Sequence, residues 1–204
     1  MITLYAFATP NGHKASIMLE EAGLAYQVRR LELPSGDHLT NAYGKVSPIH
    51  KIPAILDDID GSSHRVFGSG AILLHLAVKT GKLLPPRGVE RAESFSWLEF
   101  GVSDLGPTAV DLFRFTVRAP EKLPYAIDLF KAEFKRCTDA MEERLAETAF
   151  LSGLDYTIAD IACFPFIAVA VARPGFFDGY PALQRWHNTI AARPAVQRGI
   201  QALA

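Results

Sequence analysis

The chain of 204 residues reads as an α/β half followed by an all-helical half. Three observations give that reading. Strand and helix patterns alternate up to Gly81. Strand signals then stop at the proline-rich stretch Leu84-Pro85-Pro86-Arg87-Gly88. Beyond it, apolar residues recur only at helical spacing. The boundaries that follow are residues 1–82 for the first domain and 88–204 for the second.

The first half builds up in order. Ile2, Leu4 and Ala6 alternate with their neighbours as a short strand does. Thr9-Pro10-Asn11-Gly12 supplies a cap and a proline at a helix start. Ala15, Met18, Leu19 and Ala22 lie on one helical face, and Gly23 closes it. Tyr26 to Leu33 and Ile52 to Leu56 are the next strands. Asp57 to Ser63 reads as a turn cluster, and His64 to Phe67 as the fourth strand. Ser69 is the expected cap of a helix that buries Ile72, Leu73, Leu76 and Ala77 and ends at Gly81. The order is βαβ, a loop, then ββα.

In the second half, Phe95, Leu98, Val102 and Leu105 mark one long helix. Leu123, Ile127, Phe130, Phe134, Cys137, Met141 and Leu145 mark another at near-heptad spacing. Thr157-Ile158-Ala159-Asp160 is a capping box with Asp in place of Glu or Gln, opening a helix apolar enough to be buried on most sides. Leu183, Trp186 and Ile190 carry the last clear helical face, before Arg193-Pro194.

Composition narrows the function classes. A formal net charge of −1 gives no global field to hold nucleic acid or an anionic membrane. The longest uncharged apolar run, Ile161 to Ala172, contains Pro165 and falls short of the roughly 18 residues of a membrane span. Met1-Ile2-Thr3-Leu4-Tyr5 has no basic segment and meets Thr9-Pro10 too early for a signal peptide. The two cysteines, Cys137 and Cys163, form no close pair. They exclude a disulfide scaffold and most zinc sites, leave no expected metal, and suit a reducing cytoplasm.

Three segments of the first half could act together. Thr9-Pro10-Asn11 sits at a strand-to-helix junction, where N–H groups and the helix dipole favour an anion. Pro53, at the start of a strand, is a position for a cis bond that would turn the Ile52 backbone toward a bound peptide. Phe67-Gly68-Ser69-Gly70 offers a hydroxyl and free N–H groups at a second helix start, suited to a carboxylate. Taken singly, each has a bland alternative: a junction Thr or Ser is a cap, and an X–Pro bond is trans.

In sequence order these segments resemble the glutathione transferase superfamily. Thr9-Pro10-Asn11-Gly12, Ser47-Pro48-Ile49-His50-Lys51-Ile52-Pro53-Ala54-Ile55 and Ser69-Gly70-Ala71-Ile72 are similar to its N-terminal signatures. Leu105-Gly106-Pro107, Ala119-Pro120-Glu121-Lys122-Leu123-Pro124-Tyr125-Ala126 and Ser152-Gly153 through Ala162 are similar to its C-terminal ones. The Thr-Pro-Asn start and the Ala-Pro-Glu-Lys segment resemble the bacterial nu-class and the yeast nitrogen-regulation prion protein. The resemblance implies a thioredoxin-like domain followed by the all-helical C-terminal domain of that family, assembled as a homodimer. It implies glutathione as co-substrate, with its sulfur beside Thr9 and Asn11. It also implies the cysteinyl part on the Ile52-Pro53 backbone, the glycyl carboxylate at Lys51 and the γ-glutamyl carboxylate at Ser69.

The reaction so implied is attack of the glutathione thiolate on an apolar electrophile, with Phe113, Arg114 and Phe115 as candidate lining of the electrophile pocket. Glutathione-dependent disulfide or peroxide reduction is the alternative, and a non-catalytic binding protein a further one. No cysteine lies near Thr9, which excludes glutaredoxin-like chemistry through a protein thiol there. The chain also departs from the family pattern. Gly68 stands where the family has a Glu that pairs with the γ-glutamyl ammonium, His38 where relatives have Gln, and Ile49 where they have Asn. These departures imply a site weakened for glutathione or retuned to another thiol or electrophile. His13, His50 and His75 read as packed or surface residues, and Cys137 and Cys163 as inert core thiols.

Overall fold

The computed structural model describes residues 1–59 and 61–204; Asp60, within the expected Asp57–Ser63 turn, lies outside the described residues. The chain forms two compact units, Met1–Pro86 with Ile190–Ala204, and Arg87–Thr189. In chain order the elements are β1 (Ile2–Ala6), α1 (Pro10–Ala22), β2 (Tyr26–Arg30), α2 (Asn41–Gly44), β3 (Ala54–Ile59), β4 (Ser62–Phe67) and α3 (Ser69–Thr80). There follow α4 (Val89–Glu99), α5 (Gly106–Phe113), α6 (Pro124–Glu147), α7 (Ile158–Ala170), α8 (Pro181–Ala191) and α9 (Pro194–Gln201).

The first unit is a four-stranded mixed sheet in the order β2-β1-β3-β4. β1 runs parallel to β2, with Leu4 opposite Val28, and antiparallel to β3, with Leu4 opposite Ile55. Leu4, Ala6, Ala54 and Ile55 are buried with the inner faces of α1 and α3, which contribute Ile17, Met18, Leu19, Ile72, Leu73 and Leu76. The expected βαβ-ββα order is present, with different limits. β2 ends at Arg30 rather than Leu33, because Glu32 turns back: its N–H donates to Asp37 Oδ2 at 2.9 Å. β3 and β4 extend into the polar stretch expected as a turn, because Asp57 is not a turn residue. Its carboxylate is buried and accepts from Lys79 Nζ at 2.7 Å and bonds His75 Nε2 at 2.8 Å. The cap of α3 is Gly68, and Ser69 is the first helical residue rather than the cap.

Helix α9, which shows no clear apolar face in the sequence, belongs to the sheet's unit. It lies so close to α1 that a Cβ at Gly199 would stand 2.6 Å from Ile17 Cα, a contact only glycine allows. Arg193 reaches Glu21 through two bonds of 2.6 and 2.8 Å, and Arg198 reaches Glu20 at 2.7 Å.

In the helical unit, α4 and α5 are joined by a wide π-helical turn at Phe100–Leu105, and a second such turn, Arg114–Arg118, follows α5. Leu98, Leu105, Leu112, Phe134, Met141 and Leu145 are buried. The capping box of α7 is formed: Thr157 Oγ1 accepts from Ala159 N–H at 3.2 Å, and Asp160 Oδ2 from Thr157 N–H at 2.9 Å. Asp160 also accepts from Leu151 N–H and from Trp186 Nε1–H at 2.8 Å. Complete burial pushes its carboxyl up to about 6, against those bonds, which hold it down. Among the described residues no helix is long and apolar enough to cross a membrane.

Candidate functional site

The site is built where α1 and α3 begin. Thr9 has extended backbone and caps α1; its Oγ1 accepts from Gly12 N–H at 3.1 Å. Among the described residues its own proton reaches the Phe7 carbonyl, 3.5 Å away, at the outer limit of a hydrogen bond. The hydroxyl is therefore fixed in place with its donor weakly engaged. Among the described residues no side chain caps helix α3, which leaves the N–H groups of its first turn open. The two helix starts are joined by Ser69 Oγ donating to Asn11 Oδ1 at 3.4 Å.

The third segment ties into the second. The Ile52–Pro53 bond is cis, and the Pro53 carbonyl accepts from Gly68 N–H at 3.3 Å. Gly68 has φ 88° and ψ 128°, and the place of a Cβ there has nothing within 4 Å. The loop before Pro53 is pinned by two hydroxyls the sequence reading had not singled out for it. Tyr43 and Ser47 both donate to the Lys51 carbonyl, at 2.9 and 2.8 Å. Burial pushes the Tyr43 phenol up to about 12, so it stays a donor at neutral pH. The signal was a tyrosine in a polar loop, and nothing local distinguishes it from a surface residue. Ile52 packs on Tyr43, Val46 and Ala54, while the Lys51 side chain is exposed.

The other predicted residues fall outside this junction. The His38 carbonyl bonds His50 Nδ1 at 2.9 Å, and the His38 Nδ1 is buried with no hydrogen-bond partner among the described residues. His13 is partly buried, which holds its imidazole below the usual range. Phe113, Arg114 and Phe115 belong to the helical unit, at the second π-helical turn. Phe113 is 46% exposed with the Arg118 guanidinium over its ring, Arg114 pairs with Asp111, and Phe115 stacks on Phe130 with centroids 5.5 Å apart. Both thiols of the chain, Cys137 and Cys163, are buried in the helical unit, and burial raises that of Cys137. Among the described residues no group of three or more His, Cys, Asp or Glu side chains could hold a metal ion.

A thioredoxin-like unit with a cis-proline loop beside two helix starts, joined in sequence to a helical unit, defines the glutathione transferase class. The chain belongs to the glutathione S-transferase family: residues 1–78 match its N-terminal domain and residues 124–189 its C-terminal domain. Over 98% of its length it is 39% identical to the disulfide-bond oxidoreductase YfcG of Escherichia coli (strain K12), covering 94% of that protein. A glutathione transferase from Burkholderia graminis, solved with two glutathione molecules bound per subunit, superposes with a TM-score of 0.93 at 37% identity, covering 98% of this chain and 87% of that one. The transferase URE2P6 of Phanerochaete chrysosporium, solved with oxidized glutathione, superposes with a TM-score of 0.92 at 32% identity, covering 98% and 94%. The resemblance to the nu-class and to the yeast nitrogen-regulation protein holds.

Proposed function

We propose that the chain catalyses glutathione-dependent thiol–disulfide exchange, with Thr9 and Asn11 holding the glutathione thiolate at the start of α1, as a cytoplasmic homodimer. The observation that carries this reading is the junction of Thr9, Asn11, Gly68 and Ser69, two helix starts linked through Ser69 and Asn11. A free thiol titrates near about 8.5, and a helix N-terminus with a hydroxyl donor lowers that value. With both protein thiols buried, the reacting sulfur has to arrive with the substrate. Glutathione fits what is there. The Thr9 O–H and the Asn11 amide protons meet the sulfur, and the main chain at Ile52 and Pro53 meets the cysteinyl part. Lys51 meets the glycyl carboxylate, and Ser69 with the open N–H groups of α3 meets the γ-glutamyl carboxylate, with His38 and Gly68 at the margins.

In the reaction, the glutathione thiolate attacks one sulfur of a disulfide. A mixed disulfide forms, and the other sulfur leaves as a thiolate that takes a proton from water. A second glutathione thiolate attacks the glutathione sulfur of the mixed disulfide and releases the remaining thiol. Two glutathione molecules are oxidised to glutathione disulfide and one disulfide is reduced to two thiols. The naming of the Escherichia coli relative as a disulfide-bond oxidoreductase supports exchange, as do the two glutathione molecules per subunit of the Burkholderia protein.

Conjugation to a small apolar electrophile is the second reading, favoured by the exposed ring of Phe113 beside Arg114 and Phe115. A panel of a chloronitroarene, an organic hydroperoxide and hydroxyethyl disulfide, each with glutathione, separates the reactions. The expected result is turnover of the disulfide above the other two. Turnover confined to the chloronitroarene would establish conjugation instead, and no turnover with any of them would leave a binding protein.

A further inference from the structure

We infer that this site accepts thiol peptides whose amino-terminal nitrogen carries no charge at least as readily as glutathione, an inference that rests on the thiol-exchange reading above. The argument is electrostatic. Two helix starts meet at the junction of Asn11 and Ser69, and neither α1 nor α3 has an acidic residue in its first turn. Helix starts carry partial positive charge, which favours a carboxylate and disfavours an ammonium. The side-chain oxygens at the junction, Asn11 Oδ1 and Ser69 Oγ, are neutral. On the loop side, the Pro53 carbonyl already accepts from Gly68 N–H.

Every acid among the described residues of Met1–Pro86 already has a partner. Among the described residues of Met1–Pro86, Asp57 is held by Lys79 and His75, Glu20 by Arg198 and Glu21 by Arg193. Glu32 is held by Arg30, Asp37 by Ser35 and the Glu32 N–H, and Asp58 by the chain's amino terminus. Position 68 contributes no side chain, and the space where one would begin is open. An α-ammonium bound there gives up water for neutral acceptors near positive helix ends. A methylene or an amide in its place loses nothing of that kind, and the open space at Gly68 has room for an acyl group. The chemical class is therefore a γ-linked thiol peptide that keeps its carboxylate and lacks a charged amine.

The test compares ligands on the unaltered protein. Calorimetric titration at one ionic strength uses glutathione, its deamino analogue glutaryl-cysteinylglycine, and N-acetylglutathione. The expected dissociation constants of the two uncharged analogues are equal to that of glutathione within about threefold, or lower. Glutathione binding about tenfold or more tightly than the deamino analogue would overturn the inference and leave the exchange reading standing. Binding of none of the three would remove both. Gly68→Glu and Gly68→Gln then isolate the charge, since both strain the same positive-φ backbone. Gly68→Glu should favour glutathione over the deamino analogue by about tenfold and Gly68→Gln by no more than about threefold. Equal ligand preference in the two variants would show that position 68 does not face the amino group, and the inference falls.

Discussion

Thr9 has two jobs at one oxygen. As an acceptor it holds Gly12 N–H and starts α1; as a donor it has a proton that the Phe7 carbonyl, at 3.5 Å, barely engages. Only the second job concerns a thiolate. A hydrogen bond to a charged acceptor contributes about 1.5–3 kcal/mol, so Thr9→Ala should lower kcat at least about tenfold. The lost cap costs about 1 kcal/mol of stability besides, or about 2–4 °C in melting temperature for a chain of this size. Thr9→Ser keeps both the acceptor and the donor, and should restore most of the rate and the melting temperature together. Unchanged kcat in folded Thr9→Ala would reduce Thr9 to a cap, and Asn11 would then be the group to replace next.

At the scale of elements, β3 is bound to α3 by a buried charge. Asp57 is 1% exposed and lies between Lys79 and His75. Burial alone would raise its carboxyl, but the bonds from Lys79 and His75 outweigh that and hold it below the usual range. A depressed folded-state value means stability that is present above the unfolded value, about 4, and lost as pH falls through the folded one. Asp57→Asn should therefore cost about 1–3 kcal/mol near neutrality, toward the lower end because Lys79 can turn to water. The difference between variant and parent should shrink below about pH 4. Urea titrations at pH 7 and pH 3 read it directly; an equal difference at both would mean that Asp57 acts by shape and not by charge. The same residue shows where sequence reading stops. Helix faces and the capping box of α7 were legible, because each is set by residues a few positions apart. Asp57 in a polar run looked like a turn, since its partners on α3 are distant in sequence. Tyr43 and Ser47, which hold the Lys51 carbonyl, were obscure for the same reason. The junction itself was readable as three separate segments; the bond from Ser69 to Asn11 that joins two of them was not. Helix α9 escaped because its small residues serve one close contact, at Gly199, rather than a broad apolar face.

At the scale of the molecule, the exposed apolar side chains argue for a partner copy. Along the helical run from α4 to the second π-helical turn, Val89, Phe95, Val110 and Phe113 are 72%, 39%, 39% and 46% exposed. Such side chains recur where a helix meets another chain. In the first unit β4 is an edge strand, with Phe67 exposed at its end and no strand paired on its outer side among the described residues. A typical stable interface removes about 800 Å² per partner, less than a tenth of the 10425 Å² that the isolated chain presents. Phe95 and Val110 with their surroundings could supply much of that area. Light scattering at micromolar concentration should therefore give about twice the 22.3 kDa of one chain. Phe95→Asp combined with Val110→Asp should shift the mass to that of one chain, because burying two unpaired carboxylates against a partner costs several kcal/mol. The two sites are exposed in the isolated chain, so the melting temperature measured on the dilute monomer should change little. A parent protein already monomeric at that concentration would refute the dimer. A double variant that stays dimeric would move the contact away from this face, and the β4 edge would be the next surface to disrupt, with Phe67→Asp.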